Sequence, residues 1–387
     1  QVIFNEGARG SSKGENFKVC KDCISSIRAG ENYLNQKLNT RIYGISTYII
    51  PNFIYGEKLN IEELNYVADK LKDAHNKLEK LKVTGEIVNE ISMDLDGIGY
   101  FNVNYMMHSV SNSATKIRDT ITEIQPTRYS ELEKIIIKAN DMIKELDCGS
   151  FNLNTIYYMY PILDNKKDPD FREILTIYKS IMKKNKLNRR VTINNILKCI
   201  RYIAHCNEGF AVGKRFNNRL ENYVLLSNAY VRFLELNDNL EVGNSMDGNA
   251  AGNKLGVDKV VTEYAKDMGL NEQQYSMFIL GNIIGNIGTA QYTQRGSKPI
   301  LKRVNYSGMG EEKILRLFNE VLEAVHNEKM GVYTELMFEE ASSIFMKNRS
   351  DWKLSKEEAV YYILSGYALS TKKAILNGGN KDERDNK

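Results

Sequence analysis

Apolar residues recur at helical spacing in one segment after another from Pro126 towards the end of the chain. An apolar residue at every third or fourth position marks one face of an amphipathic helix, and that face has to be buried against other elements. Such segments include "SELEKIIIKANDMIKEL", "TINNILKCIRYIAHC", "GEEKILRLFNEVLEAVHNE" and "SKEEAVYYILSGYALSTKKAIL". Short connections between the last four or five favour a bundle. The sequence therefore predicts a mainly α protein with a C-terminal helical bundle.

The first third of the chain mixes strand-like and helical patterns. The segment "RIYGISTYIIPNF" is rich in β-branched and aromatic residues and predicts a strand closed by Pro51. Two apolar runs around Asp96-Gly97 are typical of a hairpin. Between these segments, residues 60–81 carry an apolar stripe with Asn60 as a suitable N-cap, so a helix is predicted there. His75 falls on this helix and is expected at its surface or boundary. This part is predicted to be a smaller α+β region.

Three glycines, Gly281, Gly285 and Gly288, recur at helical spacing in the first long helix of the predicted bundle. Glycine costs a helix interior about 1 kcal/mol relative to alanine, so its repeated use on one side indicates that something packs closely there. A tight crossing with another helix would explain it. A phosphate-binding loop is disfavoured, because no strand precedes the glycines and the Gly-Lys-Ser/Thr of such loops is absent.

Basic residues are concentrated between Lys179 and Arg219. This stretch holds eleven lysines and arginines and one acid, Glu208, for a net charge of +10, while the whole chain carries only +4. A second run, "QRGSKPILKR", has four more basic residues and no acid. Such clustering is typical of a surface that binds a polyanion, although a solvated basic face is the alternative. The candidate nucleic-acid-binding residues are Lys183, Lys184, Lys186, Arg189, Arg190, Lys214, Arg215, Arg219, Arg295, Lys298, Lys302 and Arg303.

Cys20 and Cys23 form a Cys-x-x-Cys pair, the spacing of one half of a structural zinc site. A closed site needs four ligands, and the other three cysteines and the four histidines provide no second pair. Cys199, His205 and Cys206 are close enough in sequence to be considered together. Five cysteines, an odd number, fit a reducing cytosol better than a disulfide framework. The pair is either a half site or two reduced thiols.

The sequence contains no recognisable catalytic signature. The Gly-x-Ser-x-Gly, His-Glu-x-x-His and Walker patterns are all absent. Asp94 and Asp96 alternate in "MDLDG" and could hold Mg²⁺ for a nuclease only if further acids converged on them. The chain is therefore predicted to be a binding protein and not an enzyme. With no apolar run near the roughly 18 residues that span a membrane and no visible signal peptide, a cytoplasmic location is expected.

Several segments of the chain follow the order of the sequence blocks of a known family. They are "FKVCKDCISSIRAGENYLNQKLNTRIYGISTYIIPNF", "QPTRYSELEKI", the region from "FILGNIIGNIGTAQ" to "EEKILRLFNEVLEAV", and "WKLSKEEAVYYILSGYAL". In these segments the chain resembles the large subunit of the type I-B CRISPR Cascade surveillance complex. The resemblance spans nearly the whole chain and is most specific in about its last third.

The resemblance implies a non-catalytic subunit of an RNA-guided antiviral complex that binds target DNA and stabilises the separated strands. Its partners would be guide RNA, target DNA, the repeated backbone subunits of Cascade and a helicase-nuclease recruited after target binding. Members of the family carry an earlier Cys-x-x-Cys pair, so this chain would be the C-terminal two-thirds of a longer protein. Cys20 and Cys23 would then belong to a four-cysteine site for structural zinc.

The resemblance also implies that the C-terminal bundle is similar to the separate small subunit of other Cascade complexes. Such a bundle would also be made on its own from an internal start at Met246 or Met268.

Five parts are predicted along the chain. Residues 1–56 would be the remnant of a zinc-knuckle region with a strand, and residues 57–236 a mixed, then helical central domain with the basic stretch 179–219. A Gly/Asn-rich linker (237–255), the small-subunit-like bundle (256–376) and a disordered tail (377–387) would follow.

Two other functions stay open at this point. One is a metal-dependent nuclease that uses Asp94 and Asp96. The other is a scaffold whose basic runs bind acidic patches on neighbouring proteins.

Overall fold

The structure is a computed structural model that describes residues 20–42, 45–54, 60–80, 101–111, 114–164, 171–216, 219–241 and 258–385. The chain forms two compact units. The first comprises residues 1–134, 152–154 and 175–183, and the second comprises residues 135–151, 155–174 and 184–387. Most of the described residues are helical, and the described strands all belong to the first unit. The predicted fold class, mainly α with a smaller α+β N-terminal part and a helical C-terminal region, is confirmed.

The first unit contains a four-stranded antiparallel sheet in the order β1-β2-β3-β4. Its strands are β1 (Asn39–Ile42), β2 (Ile45–Phe53), β3 (Phe101–Ser111) and β4 (Ala114–Ile124). Helix α1 (Lys21–Tyr33) leads through a short π-helix (Leu34–Leu38) into the sheet. Helix α2 (Ile61–Lys80) packs on β2.

The sheet differs from the sequence prediction at two places. Pro51 does not close β2 but lies inside it, opposite Val103 of β3. Because β1 pairs only with residues 45–48, no described strand flanks β2 on its other side at Pro51, and a residue without an N–H is tolerated there. Strand β4 was not predicted, although Ile117 and Ile121 follow an alternating pattern on it. The turn of the hairpin predicted at Asp96-Gly97 and its first run lie outside the described residues, and its second run includes β3.

Helix α2 begins at the predicted cap. The Asn60 Oδ1 accepts from the Glu63 N–H at 2.9 Å, and the Glu63 carboxylate accepts from the Asn60 N–H at 2.9 Å, which completes a capping box. Val67 and Leu71 of the predicted stripe are buried. The prediction for His75 was wrong, because this residue is fully buried and its Nδ1 lies 3.4 Å from the Tyr178 hydroxyl.

His108 on β3 is expected to make the first unit sensitive to acid. Its ring is buried, stacks on Tyr48 with 4.1 Å between the ring centroids, and has no hydrogen-bond partner at either nitrogen among the described residues. Burial disfavours the charged imidazolium and lowers the pKa of His108 below its usual value of about 6.5. Below about pH 6.5 the unfolded chain binds a proton at His108 that the folded chain excludes, so the free energy of unfolding falls as the pH falls.

We therefore expect the His108→Phe variant, which keeps an aromatic ring against Tyr48, to lose less stability than the wild type between pH 7.5 and pH 5.5. A single proton changes the free energy of unfolding by at most about 1.4 kcal/mol per pH unit. Urea unfolding at the two pH values, with hydrogen exchange in β2 and β3 as the readout, measures the loss of stability in each protein. An equal loss in both proteins would contradict the assignment to His108.

The second unit is built from helices. Helices α3 (Thr127–Asp141) and α4 (Arg172–Lys183) contribute residues to both units. The helices that lie wholly in the second unit are α5 (Arg189–Ala204), α6 (Ala211–Phe216), α7 (Leu220–Leu236), α8 (Lys259–Asp267), α9 (Glu272–Arg295), α10 (Glu311–Asn327), α11 (Val332–Asn348) and α12 (Lys356–Asp385). None of the described helices combines the length and the apolar character that crossing a membrane requires.

Helices α9 and α12 cross at very short range, as the glycine spacing predicts. A methyl group placed on Gly281 would lie 1.8 Å from the carbonyl oxygen of Ile363, and one on Gly285 would lie 2.6 Å from Cβ of Ser370. A methyl group placed on Gly366 of α12 would make the reciprocal approach, 1.9 Å from the carbonyl oxygen of Phe278. Gly288 is not part of the crossing, since its added methyl group would meet only side-chain atoms at 3.5 Å or more.

Helices α5 and α7 of the predicted central domain pack against α12 in the same unit. The Tyr361 and Ser365 hydroxyls of α12 both donate to the Oδ1 of Asn228 on α7, each at 2.8 Å. Asn228 is itself buried. Contacts within the described residues thus join 184–236 to the C-terminal helices, and a separate domain 256–376 stays a prediction.

The start of the predicted linker is buried in the turn after α7, and the predicted tail begins within a helix. Asn239 and Leu240 are buried, and the Leu187 N–H donates to the Asn239 carbonyl at 2.8 Å. Helix α12 begins at a capping box formed by Ser355 and Glu358 and extends through residue 377 to Asp385.

Candidate nucleic-acid interface

Helix α5 carries three basic side chains on one side. The Asn188 side chain caps its start by accepting from the Val191 N–H at 3.1 Å. The buried side of the helix includes Ile193, Ile196, Leu197 and Ile200. Arg190, Lys198 and Arg201 are spaced eight and three residues apart, which places them on one side of the helix, and all three are at least partly exposed. We call these three residues the α5 basic face.

The partners of the α5 basic face leave its side chains at least partly exposed. Arg190 is 66% exposed, and its Nε lies 3.5 Å from a Glu357 carboxylate oxygen. Arg201 donates from Nη1 to the Ser307 hydroxyl at 3.3 Å, in the loop that follows the second basic run. Lys198 has no ion-pair partner among the described residues. Lys198 and Arg201 were not among the predicted site residues, although their helical spacing from Arg190 could have identified them.

Arg189, the neighbour of Arg190, points into the second unit. Its side chain is 19% exposed, with Nη1 2.8 Å from a Glu235 carboxylate oxygen and Nε 3.3 Å from a Glu358 carboxylate oxygen. Nη2 donates to the Tyr362 hydroxyl at 2.7 Å. Burial alone would lower the pKa of Arg189, but the Tyr362 hydroxyl and the Glu235 carboxylate raise it above its usual value. These contacts leave little of the guanidinium for a phosphate.

Several other predicted residues pair with acids or rings of their own unit. In the basic stretch, Lys186 lies 2.7 Å from Asp238 and Lys214 lies 3.0 Å from Asp164, and the guanidinium of Arg215 lies 4.5 Å from the ring centroid of Tyr158. In the second run, Arg295 lies 2.9 Å from Glu328, Arg303 lies 3.8 Å from Glu320, and Lys298 Nζ donates to the Tyr367 hydroxyl at 3.3 Å.

The remaining predicted residues are exposed. Lys183 ends α4 in the first unit, whereas Lys184, Arg219 and Lys302 belong to the second. No described residue forms an ion pair with Lys183, Arg219 or Lys302. Lys184 has a positive φ of 55° and lies in the turn before α5. Acids that are distant in the sequence form ion pairs with several residues of the basic stretch. They offset part of the net charge of +10 that the stretch carries in the sequence.

The Cys20–Cys23 pair is exposed at the start of α1. Cys20 is the N-cap, and its Sγ accepts from the Cys23 N–H at 3.3 Å. Hydrogen bonds from the Cys23 backbone and side chain lower the pKa of Cys20, which favours the thiolate that binds zinc. The donor set fits half of a four-cysteine zinc site.

Cys199, His205 and Cys206 do not come together as a metal site. Burial raises the pKa of Cys199 to about 12, whereas His205 and Cys206 are exposed. No cluster of three or more possible metal ligands is found in the part of the chain that the structure describes. Asp94 and Asp96 lie outside the described residues.

Comparisons with known families identify two adjacent domains. Residues 1–124 match the family model of the central domain of the CRISPR-associated protein TM1802. Residues 151–381 match the model of the C-terminal domain of the same protein. No curated protein sequence matches the chain significantly. The C-terminal match includes the α5 basic face and the helices that follow it, with α12 matched up to residue 381.

Proposed function

Because the chain belongs to the TM1802 family of CRISPR-associated proteins, we propose that it is a non-catalytic, nucleic-acid-binding large subunit of a type I-B Cascade complex. The family assignment supports a role in CRISPR defence. The observation that carries the finer proposal is the α5 basic face, where three cations share one partly exposed side of a single helix. Its partners would be guide RNA, target DNA, the repeated backbone subunits and the recruited helicase-nuclease.

The proposed action is to hold separated strands by their phosphates. Exchange of a DNA duplex for an RNA–DNA hybrid is nearly balanced in free energy. Contacts to the displaced strand can therefore shift the equilibrium towards the hybrid. Lysine and arginine make such contacts without reading the sequence. On this proposal the protein binds DNA and does not cleave it, and zinc bound through Cys20 and Cys23 would only stabilise the N-terminal region.

The α5 basic face can be tested through the salt dependence of binding. A triple variant, Arg190→Gln with Lys198→Gln and Arg201→Gln, should weaken binding of single-stranded DNA regardless of sequence. Each lost phosphate contact should reduce the slope of log K against log salt by about 0.7, so the total reduction should be about 2. Fluorescence anisotropy with a labelled oligonucleotide between 50 and 300 mM salt, a range chosen to cover physiological ionic strength, measures the slope.

A control variant removes the same charge elsewhere on the second unit. Lys259, Lys347 and Lys353 are 85%, 70% and 75% exposed and lie outside both basic runs. Their simultaneous change to glutamine should leave the slope near that of the wild type. Equal slopes in all three proteins would refute the α5 basic face as a DNA surface. Loss of binding to acidic partner proteins, with DNA binding unchanged, would favour the scaffold function instead.

A further inference from the structure

The second unit contains a cavity of about 490 Å³ among helices α8, α9, α11 and α12. This volume lies in the range of about 300–1,000 Å³ that is usual for small-ligand sites. Its polar lining comprises Asp258, Asn282, Asn286, Tyr333, Ser370 and Lys373. The cavity lies away from the α5 basic face, and none of the predicted site residues lines it.

Asn282, in the lining of this cavity, carries an unused hydrogen-bond donor. The residue is 3% exposed, and its Nδ2 has no hydrogen-bond partner among the described residues. A buried amide without a partner is destabilising, so a ligand acceptor that reaches Nδ2 would relieve this cost. Asn286, one turn further along α9, is oriented by the Ser370 hydroxyl, which donates to its Oδ1 at 2.7 Å. Two carboxamides thus line the same cavity.

The charge and lining of the cavity favour a neutral ligand with apolar faces. Lys373 is paired with Asp258, so the cation that would attract a phosphate is already neutralised. Met337 and Val261 add apolar surface, and the Tyr333 ring, on a residue that is 77% exposed, lines the same cavity. A nucleobase has apolar faces that stack on aromatic rings and polar edges that pair with carboxamides.

The distance from the α5 basic face to the cavity suits a single strand. The Arg190–Glu357 pair places that face beside the start of α12, and Lys373 lies 16 residues further along the same helix. At 1.5 Å per residue the separation along α12 is about 24 Å. At the 3.4 Å rise of a stacked strand about seven nucleotides cover this distance, and a more extended strand needs fewer. Single-strand-binding modules commonly contact about 4–16 nucleotides.

We infer that this cavity binds one unstacked base of a single-stranded nucleic acid, with Tyr333 as the stacking ring and Asn282 as a hydrogen-bond donor to the base edge. The inference rests on the proposed function, because the α5 basic face would hold the phosphates of the same strand. It assigns base contacts and phosphate contacts to different places on the second unit, so the two can be tested separately.

The test compares two 20-nucleotide strands of equal charge, one with bases and one in which every site is abasic. The purified chain should bind the strand with bases about 5- to 100-fold more tightly, the usual effect of stacking one base. Tyr333→Ala should remove most of this preference and leave the salt slope unchanged. Asn282→Ala should change the ranking among oligo-dA, oligo-dC and oligo-dT, since it removes a contact to the base edge. An excess of free nucleoside should reduce the preference of the wild type.

Val332→Ala is the matched control, because Val332 is 67% exposed, adjacent to Tyr333 and absent from the cavity lining. This variant should keep the preference of the wild type. A preference that survives in Tyr333→Ala would overturn the base site while leaving the phosphate contacts of the α5 basic face in place. Failure of the wild type to bind either strand would overturn both the base site and the proposed function.

Discussion

Replacing Arg189 with methionine is expected to lower the free energy of unfolding of the second unit by about 3 kcal/mol, because removal of one partner from a buried ion pair leaves the other charge uncompensated. Glu235 is only 4% exposed and would lose its 2.8 Å contact with the guanidinium. Arg232, 3.2 Å from the other carboxylate oxygen of Glu235, should keep the loss from being larger. The methionine fills a similar volume, so the measured effect reports mainly the lost charge.

Arg190 is the matched control for Arg189. Arg190→Met should cost under about 1 kcal/mol, since exposed ion pairs contribute little, and should reduce the salt slope of DNA binding. Arg189→Met should leave that slope unchanged. Trp352, the single tryptophan of the chain, lies in the second unit with its ring centroid 5.1 Å from that of Phe345, so its fluorescence during urea unfolding reports this unit. The opposite pattern, an unchanged stability and a reduced slope for Arg189→Met, would show that Arg189 binds DNA.

A double variant tests whether the uncompensated charge is the cause. Adding Glu235→Gln to Arg189→Met removes the buried carboxylate charge as well, and should restore part of the lost stability. A double variant less stable than Arg189→Met would indicate that packing, and not charge, accounts for the loss.

Replacing Gly281 with alanine is expected to destabilise the second unit by about 3 kcal/mol, the upper part of the usual range for overpacking. The new methyl group would collide with the backbone carbonyl of Ile363, which cannot rotate away as a side chain could. Helices α9 and α12 would have to separate along their contact. The effect opposes intrinsic propensity, because alanine favours a helix by about 1 kcal/mol over glycine.

Gly288→Ala, on the same helix, should raise the free energy of unfolding of the second unit instead of lowering it. Its methyl group would make an ordinary contact at 3.5 Å with the flexible Lys298 side chain, so the gain in helix propensity should remain, up to about 1 kcal/mol. Urea unfolding followed by Trp352 fluorescence measures both variants. Equal effects of the two substitutions would contradict a close crossing centred on Gly281.

The features that the sequence predicts correctly depend on neighbours along the chain. The N-cap at Asn60 accepts from a residue three positions away, and the spacing of Gly281 and Gly285 follows from one helix. Gly366 was missed because a single glycine has no spacing to interpret. Its role becomes visible only when α12 is placed against α9.

The candidate interface was harder to predict because exposure depends on distant partners. Arg189 and Arg190 are adjacent and equivalent in the sequence, yet Glu235 and Tyr362, which hold Arg189, are 46 and 173 residues away. The direction of each side chain is fixed by the rotation of α5 about its axis, and Ile193 and Ile196 on its buried side set that rotation. The helical spacing that identifies the apolar side of α5, applied to its charged residues, would have identified Lys198 and Arg201 as neighbours of Arg190.

The packing of α12 has a consequence for any product whose translation starts at Met246 or Met268. Such a polypeptide would lack both α5 and α7, and with them Arg189 and Asn228, which contact Glu358, Tyr361 and Ser365 of α12. An uncovered strip of tyrosine and serine would then face water along a long helix and would promote association. A truncated translation product of this kind should therefore be isolated as an oligomer or together with the full-length chain, and a monodisperse monomer would be unexpected.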